Sequence, residues 1–289
     1  MLTIEQLMQD LTALGIGRGD IILVKVDLVQ VGLIKASPRT GFLEALFKVV
    51  GNEGTIVVST FTTNYFIPFI SKKDIFTINS PPNTGGFAKL ILAHPDVVRS
   101  THPTNSFAAV GPHSEHILQG HDASASSYLP IQKLIEIGAK CINVGCVSSS
   151  PGFTTTHWAQ YVLGQSVQNI LSGWLGAYYF ENGQRHLFKR RDFGGHNPGA
   201  IRLYGHYISN GILKMGKVGN AAAVLGESAK LYEIDLKIMK EDPRYILCSS
   251  PTCFDCRATW LYNKREMILY FLFKFPGAVI KQIKRRMMR

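Results

Sequence analysis

Asp20-Ile21-Ile22-Leu23-Val24 places four apolar residues in a row, and three of them are β-branched. Such a short unbroken run is typical of a strand that is buried on both faces. Two further runs of this kind follow at residues 55–58 and 141–144, whereas residues 3–14 and 41–50 space their apolar side chains as helices do. Because the strands alternate with helices, we predict an α/β protein with a central mixed sheet flanked by helices.

The charge of the chain is concentrated at its C-terminus. The chain has 289 residues and a formal net charge of +11, of which residues 261–289 carry +7. The remaining 260 residues are mildly basic, and they are long enough to bury a core without disulfides or a structural metal. We therefore predict one globular domain over residues 1–260 and a basic amphipathic C-terminal tail over residues 261–289.

Residues 276–289 are the most distinctive part of this tail. Val279, Ile280, Ile283 and Met287 fall on one helical stripe, and the basic residues lie elsewhere on the helix. A basic amphipathic helix suits an anionic membrane surface, where each basic group contributes about 1 kcal/mol. The alternative is that the apolar stripe packs on a partner subunit. We predict a homodimer with peripheral contact at the inner membrane, and no nucleic-acid partner, because the tail lacks interleaved aromatic residues.

The cysteines and the first residues of the chain predict a reducing compartment. Five scattered cysteines are an odd number, and the first 20 residues carry acids but no long apolar run. These features predict reduced thiols, no signal peptide and a cytoplasmic protein. Cys248, Cys253 and Cys256 have the spacing of half a zinc site, but no nearby Cys or His completes four ligands. We therefore predict no metal.

The first polar motif is a loop over residues 99–111 that reads Arg-Ser-Thr-His-Pro-Thr-Asn-Ser-Phe-Ala-Ala-Val-Gly. It concentrates a guanidinium, an imidazole and four hydroxyl groups around a proline that stiffens the turn. Such groups can hold phosphates or orient a carbonyl group through hydrogen-bond donors. The alternative is a polar loop that only satisfies its own backbone.

The second motif, Thr154-Thr155-Thr156-His157-Trp158-Ala159-Gln160, predicts the start of a helix, because hydroxyl residues are good caps. His157 and Gln160 are three residues apart and therefore share one face of that helix. An imidazole near a helix start can act as a general base while the glutamine orients the substrate. A lone histidine can equally be structural, so this pattern leaves both roles open. The sequence has no nucleotide-binding glycine fingerprint and no Gly-x-Ser-x-Gly elbow.

In their order and spacing, motifs over residues 3–257 resemble the aminoglycoside 3-N-acetyltransferase family. The matching segments are Leu14-Gly15-Ile16, Gly19-Asp20, residues 24–32, Gly51-Asn52-Glu53-Gly54-Thr55-Ile56-Val57, Asn83-Thr84-Gly85, residues 99–106, Pro130-Ile131-Gln132-Lys133-Leu134, Val144-Gly145, the helix with His157, Val224-Leu225-Gly226 and Asp242-Pro243. The resemblance implies the α/β fold peculiar to that family, with residues 1–260 as an acyltransferase domain. It also implies acyl-coenzyme A as the donor and direct transfer to an amine, the chemistry of EC 2.3.1.-.

The resemblance also implies three sets of site residues. His157 matches the histidine near the reacting centre, so His157 and Gln160 are the predicted catalytic pair, with His157 as base or as the group that positions the acceptor. The predicted coenzyme A site comprises Lys25, Thr60, Thr62, Arg99, His102 and Ser106. The predicted acceptor site comprises Asp27, Thr84, Asn105 and Thr156.

The sequence departs from the family pattern in three places. Lys25-Val26-Asp27 stands where the family has His-Ser-Ser or similar, Ser59 where a proline is usual, and Gln160 where the aminoglycoside enzymes have glutamate. Without that carboxylate, a positive charge of the acceptor has no partner in the site. Each contact between such a charge and a positive charge of the protein costs about 1–4 kcal/mol, so a polycationic acceptor is disfavoured. We therefore predict an anionic acceptor, a nucleotide-linked amino sugar of bacterial surface polysaccharide. The alternatives are an aminoglycoside 3-N-acetyltransferase and a non-catalytic protein that binds coenzyme A or a sugar.

Overall fold

The computed structural model describes residues 1–35, 37–168, 171–193 and 198–249, together with positions 272, 273, 276, 277 and 280. Its strands are β1 (Ile21–Val26), β2 (Thr55–Ser59), β3 (Tyr65–Phe66), β4 (Ile75–Phe76), β5 (Val98–Arg99), β6 (Phe107–Val110), β7 (Lys140–Val144), β8 (Leu175–Glu181), β9 (Gln184–Arg190), β10 (Lys214–Val218) and β11 (Ala221–Glu227). Its helices are α1 (Ile4–Leu14), α2 (Leu28–Val31), α3 (Gly41–Val50), α4 (Gly86–Leu92), α5 (Ser114–Leu118), α6 (Leu129–Glu136), α7 (Thr155–Val162), α8 (Leu203–Ser209) and α9 (Ser228–Glu241). Short 3₁₀ turns lie at Ile67–Phe69, Ser166–Gln168 and Pro198–Arg202.

Within the described residues, the main sheet has seven strands in the order β10-β11-β7-β1-β2-β6-β5. Strand β1 runs parallel to both β7 and β2, while β11, β10, β6 and β5 are antiparallel to their neighbours. Strands β8 and β9 form a hairpin in a second sheet, where β8 also pairs with β3 and β4. The predicted α/β class with a central mixed sheet flanked by helices is confirmed.

Helix α1 shows how local sequence sets the ends of an element. The Thr3 side chain accepts a hydrogen bond from the Gln6 backbone, and the Gln6 side chain accepts one from the Thr3 backbone, so the helix begins with a capping box. Gly15 ends the helix in the left-handed conformation, at φ 109°. Leu7 and Leu11 are fully buried, and burial of each leucine contributes about 1.5–3 kcal/mol.

The central strands send alternate side chains into two hydrophobic cores. Ile22 and Val24 of β1 pack with α1, α3 and α4, whereas Leu23 packs with helices α5 to α9 on the other face. Strand β2 does the same, with Ile56 on the first face and Val57 on the second. Both faces of the sheet are covered, which is why these strands are unbroken apolar runs. Strands β1 and β7 are parallel neighbours, so both end at the same edge of the sheet. The candidate site lies at this edge.

Several sequence-based predictions fall outside the described residues. The tail at 261–289, with its amphipathic segment 276–289, is described at five positions. Cys253, Cys256 and the predicted domain boundary lie in an undescribed stretch. No helix in the described residues is long and apolar enough to cross a membrane. In the same part of the chain, no group of three or more His, Cys, Asp or Glu side chains could hold a metal ion.

Candidate active site

Helix α7 brings His157 to the wall of a cleft. The loop after β7 leads directly into this helix, whose first two residues, Thr155 and Thr156, are buried while His157 is half-buried. The cleft has a volume of about 240 Å³. It is lined by residues 149–154, Lys25, His157, Pro198 and Ala200. The end of β1, the loop after β7 and the start of α7 therefore converge on one site.

Gln160 and Tyr128 both contact the ring of His157. Its Nδ1 lies 3.0 Å from Oε1 of Gln160, and the ring stacks on Tyr128 with 4.8 Å between the ring centroids. Gln160 is 0% exposed, so its amide faces the imidazole and not the cleft. The hydrogen bond between Nδ1 and the buried amide of Gln160 sets the orientation of the imidazole ring in the cleft wall. This is the arrangement of a general base whose orientation is fixed by a third group.

Lys25, at the end of β1, fixes the loop that forms much of the cleft. Its ammonium group donates to the carbonyl oxygen of Ser150 at 2.5 Å and to that of Gly152 at 3.2 Å. The backbone N–H of Gly152 in turn donates to the hydroxyl group of Tyr204 on α8 at 3.0 Å. Burial lowers the pKa of Lys25 from its ordinary value. Backbone carbonyl groups thus hold a cationic side chain in the cleft wall.

Four of the residues predicted for the coenzyme A site form a buried hydrogen-bond network. Arg99 donates to two backbone carbonyls of segment 78–80 at 2.7 and 2.6 Å, to the Thr60 carbonyl at 3.1 Å and to Ser106 Oγ at 3.2 Å. The hydroxyl groups of Thr60 and Ser106 lie 3.0 Å apart, and Thr62 donates to a backbone carbonyl of the same loop at 2.9 Å. Burial lowers the pKa of Arg99 to about 10. The network joins three loops to each other, and none of its side chains lines the cleft.

His102 and Asn105 complete this polar loop. The Nδ1 atom of His102 accepts hydrogen bonds from the backbone N–H groups of Thr104 at 3.3 Å and Asn105 at 3.0 Å. The ring stacks on His121 with 4.9 Å between centroids, and burial lowers the pKa of His102 well below its ordinary value. Asn105 is likewise buried. Both side chains therefore belong to the core of the loop and not to the cleft wall.

The other predicted acceptor residues also lie apart from the cleft lining. Asp27 caps helix α2 by accepting a hydrogen bond from the Val29 backbone at 3.0 Å. Thr84 is exposed and donates to the Ser59 carbonyl at 2.6 Å. Thr156 is 1% exposed and points into the core. The acceptor roles of these residues and of Asn105 stay predictions.

The structure thus brings together three of the predicted site residues, Lys25, His157 and Gln160. The coenzyme A roles of the five buried residues named above stay predictions as well. Sequence reasoning missed residues 149–153, which line the cleft, and Tyr128, which stacks on His157. A turn of small residues directly after the strand at 141–144 was the available signal, because that strand ends at the same sheet edge as the strand with Lys25.

A family model described as aminoglycoside 3-N-acetyltransferase matches residues 23–240. The chain belongs to the aminoglycoside 3-N-acetyltransferase family. The match contains Lys25, the loop after β7 and all of helix α7, so the cleft is part of the family's common domain. The resemblance predicted from the sequence motifs is confirmed.

Curated members of the family share part of their length with this chain. Aminoglycoside N(3)-acetyltransferase VII of Streptomyces paromomycinus is 28% identical over 167 residues, which cover 50% of this chain and 55% of the relative. Aminoglycoside N(3)-acetyltransferase III of Serratia marcescens is 28% identical over 182 residues, which cover 56% of this chain and 65% of the relative. The matches therefore span between about half and two thirds of the relatives' length.

Solved structures of the family show the same fold. Aminoglycoside acetyltransferase AAC(3)-IVa, as apoenzyme, matches with a TM-score of 0.73 at 22% identity, over 89% of this chain and 96% of that one. AAC-IIIb in a binary complex with CoASH matches with a TM-score of 0.70 at 20% identity, over 83% of this chain and 96% of that one. AAC-VIa bound to sisomicin matches with a TM-score of 0.69 at 20% identity, over 83% and 97%.

The prediction of a nucleotide-linked amino sugar as acceptor is wrong, because the family model and the curated relatives are aminoglycoside N-acetyltransferases. That prediction was based on charge, and it failed for two reasons. Gln160 is fully buried and faces His157, so its neutral amide acts on the imidazole and not on an acceptor. Moreover, most of the net positive charge belongs to residues 261–289 and not to the domain with the cleft.

Proposed function

We propose that the protein transfers an acetyl group from acetyl-coenzyme A to an amino group of an aminoglycoside. Membership of the family supports this activity, as does the common fold with enzymes solved with CoASH and with sisomicin. The observation that carries the proposal is the pair of His157 and Gln160. A half-buried imidazole lines the cleft, and the buried amide of Gln160, 3.0 Å from Nδ1, orients its ring.

The size of the cleft limits what it can hold. Pockets that bury a whole drug-sized ligand have volumes of about 300–1,000 Å³. The cleft around His157 has about 240 Å³. It therefore suits the thioester end of the donor together with the reacting amine, while the nucleotide end of coenzyme A lies outside it.

In the proposed reaction, the neutral amine attacks the thioester carbonyl carbon and forms a C–N bond. Nε2 of His157 accepts a proton from that nitrogen as the tetrahedral intermediate forms and collapses. The C–S bond then breaks, and the thiolate of coenzyme A receives the proton from the imidazolium. The products are the N-acetylated aminoglycoside and free coenzyme A, and general-base help of this kind is worth about 10²–10⁴-fold in rate.

Lys25 contributes to this step through its charge. The ammonium group is held in the cleft wall by the carbonyls of Ser150 and Gly152. A second positive charge in the same cleft is disfavoured, so the amine that enters is more readily deprotonated than in water. Only the uncharged nitrogen has the lone pair that attacks the thioester, and Lys25 therefore favours the reactive form of the acceptor.

Release of the coenzyme A thiol tests the proposed function directly. Purified protein is mixed with acetyl-coenzyme A and one acceptor at a time: sisomicin, gentamicin, or a nucleotide-linked amino sugar. We expect thiol release and an acetylated product with the two aminoglycosides. His157→Ala should abolish most of that signal, whereas the matched variant His116→Ala, at an exposed position on α5, should not change it.

Two outcomes would overturn the proposal. Thiol release with the nucleotide sugar and none with any aminoglycoside would refute the acceptor class. Binding of acetyl-coenzyme A by calorimetry without acetylation of any amine would refute the activity and favour a non-catalytic binding protein.

From the sequence alone we further propose a cytoplasmic homodimer whose residues 276–289 contact an anionic membrane surface. The amphipathic distribution of apolar and basic residues supports the contact. Sedimentation with anionic liposomes, before and after removal of residues 276–289, tests it, and unchanged sedimentation would refute the role of the segment. Light scattering of the full chain tests the dimer.

A further inference from the structure

Asp235 on helix α9 is a fully buried carboxyl group that takes no part in the reaction steps above. Burial raises the pKa of this group to about 7, although its hydrogen bonds act in the opposite direction. No salt bridge reaches Asp235 from any described residue. A carboxyl group without a cationic partner is costly to keep in a core, so its contacts call for an explanation.

The contacts of Asp235 join three helices. Its Oδ2 accepts hydrogen bonds from Thr155 Oγ1 at 2.7 Å and from Thr156 Oγ1 at 3.2 Å, both in the first turn of α7. Its Oδ1 accepts a hydrogen bond from the hydroxyl group of Tyr207 on α8. All four residues are buried. The carboxyl group thus holds the start of α7 from inside the core.

The start of α7 lacks a capping hydrogen bond from its N-cap side chain. Thr154, at the N-cap position, makes no capping hydrogen bond with its side chain. Negative charge near a helix N-terminus is favourable, because the first N–H groups of the helix have no partner within it. Asp235 does not cap the backbone; it holds this turn through the side-chain hydroxyl groups of Thr155 and Thr156. The backbone N–H groups of Thr156 and His157 bond to carbonyl groups of the preceding loop. His157 is the next residue of this first turn.

We propose that Asp235 is a positioning residue for acyl transfer, which fixes the first turn of α7 and thereby the place of His157 in the cleft wall. The inference rests on the proposed function only in so far as His157 acts in catalysis. Asp235 does not touch the substrates. It acts through the hydroxyl groups of Thr155 and Thr156 on the helix that carries the imidazole.

The structure offers a matched set of variants. Thr155→Val is isosteric and removes one donor to Asp235 from α7, whereas Thr155→Ser retains the hydroxyl group. Tyr207→Phe removes a donor to the same carboxyl group, but from α8. We expect Thr155→Val to lower kcat by about 10–100-fold at an unchanged KM for acetyl-coenzyme A, because small displacements of a catalytic group cost up to about 10²-fold. Because Thr155→Ser retains the hydroxyl group, its kcat should stay close to that of the wild type. The kcat of Tyr207→Phe should also stay close to that of the wild type.

A spectroscopic readout separates this inference from the proposed activity. With ¹⁵N-labelled histidine, the ring nitrogen signals of His157 are assigned by their loss in His157→Ala. We expect Thr155→Val to shift these signals and Tyr207→Phe to leave them in place. This measurement needs no turnover, so it stands even if no acceptor is acetylated. If Thr155→Val does not fold, Thr156→Val paired with Thr156→Ser provides the same comparison.

The inference is overturned if kcat falls in both Thr155→Val and Tyr207→Phe in proportion to the thermal stability that each variant loses. In that case Asp235 only stabilises the fold and does not position His157. Unchanged ring signals of His157 in a folded Thr155→Val variant would overturn it as well.

Discussion

The buried ring of His121 makes the stability of the protein depend on pH in a way that can be calculated. His121 is 2% exposed, its Nδ1 lies 2.9 Å from Ser100 Oγ, and burial lowers its pKa to about 3 from the ordinary 6.5. The unfolded chain therefore takes up a proton at this residue below about pH 6.5, whereas the folded protein does not. The contribution of His121 to stability is complete above the unfolded-state pKa and is lost as the pH falls towards 3.

The size of the effect follows from the two pKa values. At pH 5 the medium lies about 1.5 units below the unfolded-state pKa and well above the folded-state pKa, and each unit is worth about 1.4 kcal/mol. Lowering the pH from about 8 to 5 should therefore remove about 2 kcal/mol of unfolding free energy through His121 alone. Because the ring is almost completely buried, solvent does not screen this contribution.

The test compares pH dependences and not absolute stabilities. Urea unfolding followed by tryptophan fluorescence gives the unfolding free energy of wild type and His121→Asn across this pH range. We expect the variant to be less stable at pH 8 but to lose about 2 kcal/mol less than wild type on going to pH 5. His116→Asn, at an exposed position, is the control and should retain the wild-type slope. Parallel curves for wild type and His121→Asn would refute the reasoning.

Three further predictions concern the cleft. His157→Ala should lower kcat, measured by thiol release, by about 10²–10⁴-fold. Its melting temperature, measured by calorimetry, should not change. A loss of kcat smaller than about tenfold would contradict the role of His157 as base. Gln160→Glu places a carboxylate beside Nδ1 of His157 and thereby favours the imidazolium. The acid limb of the pH profile of kcat/KM should therefore move to higher pH. If this limb does not move, the side chain at position 160 does not act on the ring. Lys25→Met removes the hydrogen bonds to Ser150 and Gly152 and loosens the cleft wall, so steady-state kinetics should show a rise in KM for acetyl-coenzyme A. An unchanged KM would show that the loop keeps its shape without Lys25.

Much of the fold could be predicted because its signals are local. The apolar run at residues 21–24 requires cover on both faces of a strand, and Thr3, Gln6 and Gly15 mark the ends of α1 by hydrogen bonds and backbone conformation within a few residues. The position of His157 at the start of a helix was predicted for the same reason.

The acceptor class and the burial of the polar residues could not be predicted in this way. The sequence shows that Gln160 is neutral, but not that it is 0% exposed and turned towards His157. The prediction of an anionic acceptor therefore depended on the charge of a residue that lies in the core. Arg99 and His102 have the chemistry of a phosphate-binding loop, yet backbone carbonyl groups accept the hydrogen bonds of Arg99 and backbone N–H groups occupy Nδ1 of His102.

The sequence by itself determined the α/β class, the family and the helix that carries the imidazole, because each depends on patterns within short segments. Only the tertiary structure decided which polar side chains face the cleft and which face the core. Lys25 meets Ser150 across 125 positions of sequence, and Asp235 meets Thr156 across 79. Contacts of that span are set by the packing of whole elements, and no local pattern encodes the direction in which a side chain then points.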